Sequence, residues 1–258
     1  MEFCLGVAIT AVAGIPMIQP LPNGSADLAD LIARALDTME LVPLDGDILV
    51  LAQKIVSKAE GRQVALADVT PSEEALTLAA EVDKDPRIVE LILSESTRVV
   101  RKIPDVLIVE HRLGFIHANA GIDQSNVEGE DQALLLPEDS DASAATIRTT
   151  LEKRYGVSLG VVIADSMGRA WRKGTVGLSI GNSGTDGLLN LKGAPDRTGR
   201  LLEITEVGRA DELAAAAGLV MGQASEGQPL ALIRGVTTLA PSAGVAPLLR
   251  GPKEDLFR

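Results

Sequence analysis

The side chains best suited to chemistry lie between Leu159 and Gly181. An aliphatic run, Gly160-Val-Val-Ile-Ala164, reads as a buried strand delivering Asp165 and Ser166 at its end, with a turn expected at Gly168. Beyond the turn come Arg169, Arg172 and Lys173, and then Gly174 to Gly181, which alternates as a returning strand. Carboxylate and hydroxyl oxygens suit a hard divalent cation, and Mg²⁺ usually takes one or two carboxylates plus phosphate oxygens of the substrate. Arginine and lysine then clamp the remaining charge. An acid and a hydroxyl facing a cationic cluster therefore point to phosphate chemistry. Simple capping of a turn by Asp165 and Ser166, with solvated basic residues, accounts for the segment equally well.

Three further stretches carry suitable groups. Gln53-Lys-Ile-Val-Ser-Lys-Ala-Glu-Gly-Arg62 follows directly on the apolar strand Ile48 to Ala52, although Lys54, Lys58 and Arg62 taken singly fit ordinary surface positions. Asn119-Ala-Gly-Ile-Asp-Gln-Ser-Asn126 combines small residues, which let backbone approach closely, with the oxygens and amides of Asn119, Asp123, Ser125 and Asn126. Met221-Gly-Gln-Ala-Ser-Glu-Gly-Gln228 is a small polar loop whose amides suit phosphate, or a plain connection. Neither a GxxxxGK[ST] run nor a GxGxxG after a strand occurs, so a nucleotide would be held without the commonest phosphate loops.

These groups need elements to position them. Ser25 opens a helix with Leu28, Leu31, Ile32, Ala35, Leu36 and Met39 at helical spacing. Thr70-Pro-Ser-Glu73 matches a capping box with proline at the first helical position, and Asp85-Pro86 starts another helix. Val106 to Glu110 and Phe115 to Ala118 alternate like a hairpin, Asp139 opens a helix that stops at Gly156, and Arg209 to Met221 is an alanine-rich helix. Strands are expected at Glu2 to Val12, Leu201 to Val207 and Pro229 to Arg234, with a mobile polar loop from Gly184 to Arg200.

Composition bounds the function. A chain of 258 residues buries enough surface to need no disulfide or structural metal. Its net charge of −12 disfavours nucleic acid and anionic membrane as partners. The single Cys4 excludes an intrachain disulfide and a thiolate zinc site and suits a small core position; the two histidines, His111 and His117, exclude a histidine-rich metal site. The uncharged stretch Phe3 to Ala26 is broken by prolines and lacks a basic leader, so the expected location is cytoplasmic.

Gly14-Ile-Pro-Met-Ile18, Gln53 to Arg62, Asn119 to Asn126, Leu134-Leu-Leu-Pro137, Asp165-Ser-Met-Gly-Arg169 and Met221-Gly-Gln together resemble the coenzyme F-420:γ-glutamyl ligase family, from the N-terminus to about Gly235. The resemblance implies an α+β fold of two mixed sheet-and-helix domains in an intertwined homodimer, and residues 1–258 as one stand-alone ligase module. It implies a GTP-dependent ligase that adds L-glutamate to the deazaflavin precursor F-420-0, in some members extending a γ-linked tail. Two divalent cations, Mg²⁺ or Mn²⁺, and stimulation by K⁺ come with it. Carried over, Ile15, Pro16, Met17, Ile18, Gln53, Lys54, Lys58 and Asn126 would meet the nucleotide, and Met221, Gly222, Gln223, Ala224, Ser225, Glu226, Gly227 and Gln228 would wrap it. Asp123 and Asp165 would bind one cation, Ser166 and Gln223 the second. Ser166 replaces a frequent threonine and keeps the hydroxyl; Gln223 stands where some relatives carry glutamate and offers a neutral oxygen.

The residues suit that chemistry. Transfer of the GTP γ-phosphoryl to a carboxylate makes an acyl phosphate, and because both reactants are anions, catalysis is chiefly charge neutralisation and positioning. Asp123, Asp165 and Ser166 would be its catalytic centre. Arg169, Arg172 and Lys173 would hold substrate phosphate or carboxylate, an inference from charge and position. The same motifs also permit an amide ligase on another acceptor, or a non-catalytic protein that binds a nucleotide or deazaflavin.

Overall fold

The computed structural model describes residues 6–125, 129, 131–236, 239–240, 243–251 and 253–255. Among them the strands are β1 (Ala8–Ala11), β2 (Ile48–Ala52), β3 (Gln63–Ala65), β4 (Ser96–Ile103), β5 (Val106–His111), β6 (Ile116–Ala118), β7 (Gln132–Leu134), β8 (Gly160–Arg169), β9 (Arg172–Ser183), β10 (Leu189–Asn190), β11 (Glu206–Val207) and β12 (Leu230–Arg234). The helices are α1 (Ser25–Thr38), α2 (Gln53–Ala59), α3 (Glu73–Val82), α4 (Pro86–Ser94), α5 (Ser140–Tyr155) and α6 (Arg209–Met221).

The central sheet has the order β1-β12-β2-β8-β9. Only β2 and β8 run parallel, in a register that sets Ile48 beside Gly160 and Ala52 beside Ala164. Both strands are apolar on successive residues because both sheet faces are covered. Leu49, Leu51, Val161, Ile163, Leu230 and Leu232 meet α1 and α5 through Leu28, Ile32, Leu36, Ala144, Ile147 and Leu151. On the other face Ile48, Val50, Val162, Ala164, Ala231 and Ile233 meet Leu213, Ala214 and Ala217 of α6. Strand alternation thus sorts one sequence run into two cores. A further core joins α3, α4 and β5 through Leu78, Val82, Val89, Ile92, Leu107 and Val109, beside the sheet β4-β5-β6. The architecture is mixed, with helices and several sheets, as an α+β reading requires.

Several boundaries differ from expectation. Strand β8 does not stop at Ala164; it continues antiparallel to β9 as far as Arg169, so the turn falls at Ala170 and Trp171, with Trp171 at φ 65°. Beyond Ala164 its hydrogen-bond partners come from β9, and polar residues are tolerated on a two-stranded ribbon. The α3 cap is Ser72, whose Oγ accepts the Ala75 N–H at 3.2 Å; Pro71 therefore precedes the helix and does not open it. Strand β4 escapes prediction because two register shifts against β5 erase its alternation. Leu201 to Val207 shrinks to the short β11, and of Glu2 to Val12 the described strand is β1; Cys4 lies outside the described residues.

Candidate functional site: a cleft at the ends of the parallel strands

Where β2 and β8 end their parallel pairing, the chain diverges. At Ala52 it enters α2 with Gln53 and Lys54, and at Ala164 it carries on to Asp165 and Ser166. Divergence at the carboxyl ends of parallel strands opens a crevice. Here the crevice is a cavity of about 910 Å³, within the range of small-molecule sites.

The opposite wall is built by β6 and the turn after it. Asn119, Ala120 and Gly121 take φ of 52°, 53° and 67°, a left-handed run stabilised by Asn119 Oδ1, which accepts the Leu107 N–H at 3.0 Å. Gly121 is required, since a Cβ there would lie 2.8 Å from Leu136 Cδ1. The turn presents Asp123, whose backbone is fastened on both sides to Leu134: Asp123 N–H donates to Leu134 O at 3.0 Å and Leu134 N–H to Asp123 O at 2.8 Å. The Leu134-Leu-Leu-Pro137 motif thus anchors one wall.

Each carboxylate is held by the other side of the cleft. Asp123 Oδ2 lies 3.2 Å from Lys54 Nζ and accepts from Gln53 Nε2 at 3.3 Å. Gln53 is buried, and its Oε1 is fixed by Ser57 Oγ at 2.8 Å. Burial raises the Asp123 carboxyl above the usual carboxylate range; Lys54 opposes the shift and Asp165 reinforces it. Asp165 Oδ1 accepts the Ser166 N–H at 2.8 Å, and its Oδ2 lies 2.9 Å from His117 Nε2. His117 Nδ1 sits 2.7 Å from Ala118 O; a carbonyl only accepts, so Nδ1 carries a proton. Burial works against charge on the ring, but Asp165, Ala118 O and Asp123 outweigh it and raise the imidazole.

The third wall is the loop after α6. Ser166 Oγ donates to Gln223 Oε1. Gly222, at φ 75° and ψ −176°, takes a backbone conformation that side-chain-bearing residues rarely adopt, and Glu226 Oε2 accepts the Ala224 N–H at 2.8 Å. Ile15, Pro16, Met17, Ile18, Gln53, Lys54, Lys58, Asp123, Asp165, Ser166 and every residue from Met221 to Gln228 line the one cavity. Lys58 is buried, with Nζ 3.6 Å from Met17 Sδ. Asn126 lies outside the described residues.

Arg169, Arg172 and Lys173 are not brought in. Because the turn falls later than expected, they sit at the far end of the β8–β9 hairpin, where Arg172 and Lys173 are exposed and Arg169 Nη1 donates to Gly174 O at 3.0 Å. Asp165 and Ser166 meet His117 and Gln223 instead, and the nearby lysine, Lys54, pairs with Asp123. His117 is the residue that sequence reasoning missed: a lone histidine on a three-residue strand carries no local signal, and its partner is 48 positions away.

Among the described residues no group of three or more His, Cys, Asp and Glu side chains stands together as a ready metal cluster. The donors that do converge, Asp123, Asp165, Ser166 and Gln223, are all oxygens. That set fits a hard cation that completes its shell with substrate oxygens; it does not fit a self-sufficient structural site.

These features define a class: a mixed α/β protein with an oxygen-rich, lysine-bearing cleft at the carboxyl ends of its parallel strands. Residues 14–235 match the family model described as F420-0:Gamma-glutamyl ligase, and the chain belongs to that family. It is 46% identical over 256 residues to the Coenzyme F420:L-glutamate ligase of Methanothermobacter thermautotrophicus, covering 98% of this chain and 100% of the relative. The protein of the same name from Methanopyrus kandleri is 42% identical, with 98% and 99% covered. That from Archaeoglobus fulgidus is 38% identical, with 98% and 96% covered. No helix among the described residues is long and apolar enough to cross a membrane.

Proposed function

We propose that this chain is a GTP-dependent ligase of coenzyme F420 biosynthesis that joins the amino group of L-glutamate to the carboxylate of F420-0. The γ-phosphoryl group of GTP passes to the acceptor carboxylate, giving an acyl phosphate and GDP. The glutamate nitrogen then attacks the acyl carbon, and phosphate leaves as the amide forms. Further γ-linked glutamates follow the same two steps.

The observation that carries this reading is that motifs distant in sequence, from Ile15 to Gln228, line a single cavity. Its lysines, Lys54 and Lys58, suit the triphosphate, and Met221 to Gln228 offers an exposed, amide-bearing loop to wrap it. Asp123, Asp165, Ser166 and Gln223 would hold Mg²⁺ or Mn²⁺. Bound there, divalent cations would neutralise charge on the phosphate oxygens and on the acceptor carboxylate. The protein's own contribution is to hold two anions in line for transfer inside a partly desolvated cleft. No side-chain nucleophile is required. We assign the chain to a homodimer on the same resemblance. Trp171 and Ile204, 87% and 84% exposed, leave apolar surface that a second copy would cover.

Incubation with GTP, Mn²⁺, L-glutamate and F420-0 tests the reading. The expected result is GDP together with a product heavier by one or more glutamyl units. Turnover with another carboxylate acceptor but none with F420-0, or GTP binding without phosphate release, would overturn it.

A further inference from the structure

We propose that His117 is a positioning residue for the Asp165 carboxylate, tying the wall that carries Asp123 to the wall that carries Asp165. The inference rests on the cation-assisted phosphoryl transfer proposed above, and it concerns a residue with no part in that scheme.

The geometry has three parts. First, the ring is fixed: with Nδ1 2.7 Å from Ala118 O, the imidazole cannot rotate without giving up a bond inside a largely buried site, where His117 is 9% exposed. Second, Nε2 reaches Asp165 Oδ2 at 2.9 Å while the Ser166 N–H holds Oδ1 at 2.8 Å, so both carboxylate oxygens are oriented and each keeps a lone pair for the cleft. Third, His117 comes from β6 and Asp165 from β8, which belong to different sheets. The bond therefore spans the cleft.

A second tie crosses in the other direction. Gln53 and Lys54, at the end of β2 in the main sheet, hold Asp123 on the β6 side. The two acids are thus cross-pinned, each by a residue from the opposing wall, and the gap between them is set by two bonded crossings. A ring with both nitrogens engaged by the protein has none left for substrate, which assigns His117 to holding Asp165 and excludes it as a proton acceptor from glutamate. Outer-shell partners of this kind are worth roughly 10–100-fold in cation affinity or activity.

The test is Mn²⁺ binding to nucleotide-free protein, read from the electron paramagnetic resonance signal of free Mn²⁺, alongside thermal melting. Four proteins are compared: wild type, His117→Gln, His117→Asn and His117→Leu. A glutamine amide reaches the place of Nε2 and still donates to Asp165; an asparagine amide reaches only the place of Nδ1. Affinity is expected within about 3-fold of wild type for His117→Gln and roughly 10–100-fold weaker for His117→Asn and His117→Leu. Should His117→Leu fail to fold, the Gln and Asn pair still decides. Wild-type affinity in His117→Asn, or a loss in His117→Gln as large as in His117→Asn, would overturn the inference. Absence of Mn²⁺ binding by the wild-type protein would overturn the functional reading itself, and the inference with it.

Discussion

Asp165 enters any reaction with its geometry already set, because Ser166 N–H and His117 occupy one side of each oxygen. Asp165→Asn keeps the shape and removes the charge. It is expected to lower kcat by at least about 100-fold, the scale of losing one placed electrostatic group, while the melting midpoint moves by only a few degrees. Wild-type turnover at low Mg²⁺ would count against the assignment. Lys58 is a different case, since it is buried in the wall of the same cavity with Nζ 3.6 Å from Met17 Sδ. Lys58→Ala should raise the KM for GTP several-fold with a smaller effect on kcat, and steady-state kinetics with an unchanged KM would contradict that role. Asp123 and Asp165 were legible because each falls in a motif of the family resemblance; on local grounds alone, turn capping explained such acids equally well. The partners that orient them were not, because each comes from another part of the chain.

At the scale of elements, the hairpin of β8 and β9 does most of the positioning. Ile163 pairs with Gly181 but Ala164 pairs with Ser179, so Ile180 is the extra residue of a bulge in β9, opposite the step that leads β8 into Asp165. A bulge re-aims the side chains that follow it. The Ser179 N–H beside it is satisfied by Asp211 Oδ1 of α6 at 2.9 Å, and burial raises that carboxyl despite the bond. Close seating of α6 against β9 depends on Gly177, where a Cβ would lie 2.6 Å from Ala214 O. Gly177→Ala must push the two backbones apart, at a cost of about 1–3 kcal/mol. For a chain of this size that is roughly a 2–12 °C fall in Tm by calorimetry. Gly177 and Ala214 also line the cavity, so affinity for the nucleotide proposed to bind there should fall with it; a variant that melts and binds like the parent would show that the contact is not tight. Alternation revealed both strands. It could not reveal where β8 ends, because Asp165 to Gly168 reads locally as a turn and is kept extended only by β9.

Across the whole molecule, one buried acid joins the two halves of the framework. Glu95, at the end of α4, receives Arg62 Nη2 at 2.8 Å and Arg112 Nε at 3.0 Å, with His111 Nε2 at 3.5 Å. Arg62 and Arg112 also donate to Leu136 O and Glu138 O, so the node fastens the α3–α4 side to the segment leading into α5. Burial pushes the Glu95 carboxyl up, but His111, Arg62 and Arg112 overcome it and hold it at about 2. A depressed carboxyl contributes stability above its unfolded pKa, near 4.5, and loses it as pH falls through the folded value. Urea unfolding should therefore show a gap between wild type and Glu95→Gln that is widest at neutral pH, on the order of 3 kcal/mol at most. The gap should close between about pH 4.5 and 2; one that ignores pH would mean that the charge of Glu95 contributes nothing.

The chain by itself determined what its short-range chemistry encodes. The apolar runs of β2 and β8, the helices with a cap or a stop signal such as Asp85, Asp139 and Gly156, and the motif residues that turned out to share one cleft are all local, since propensity and periodicity act over a few residues. Packing alone decided which sheet faces which, how far β8 runs, that Arg169, Arg172 and Lys173 stand away from the cavity, and that His117 meets Asp165. Those outcomes are set by contacts between residues tens of positions apart, where the energy belongs to a pair and neither member announces it.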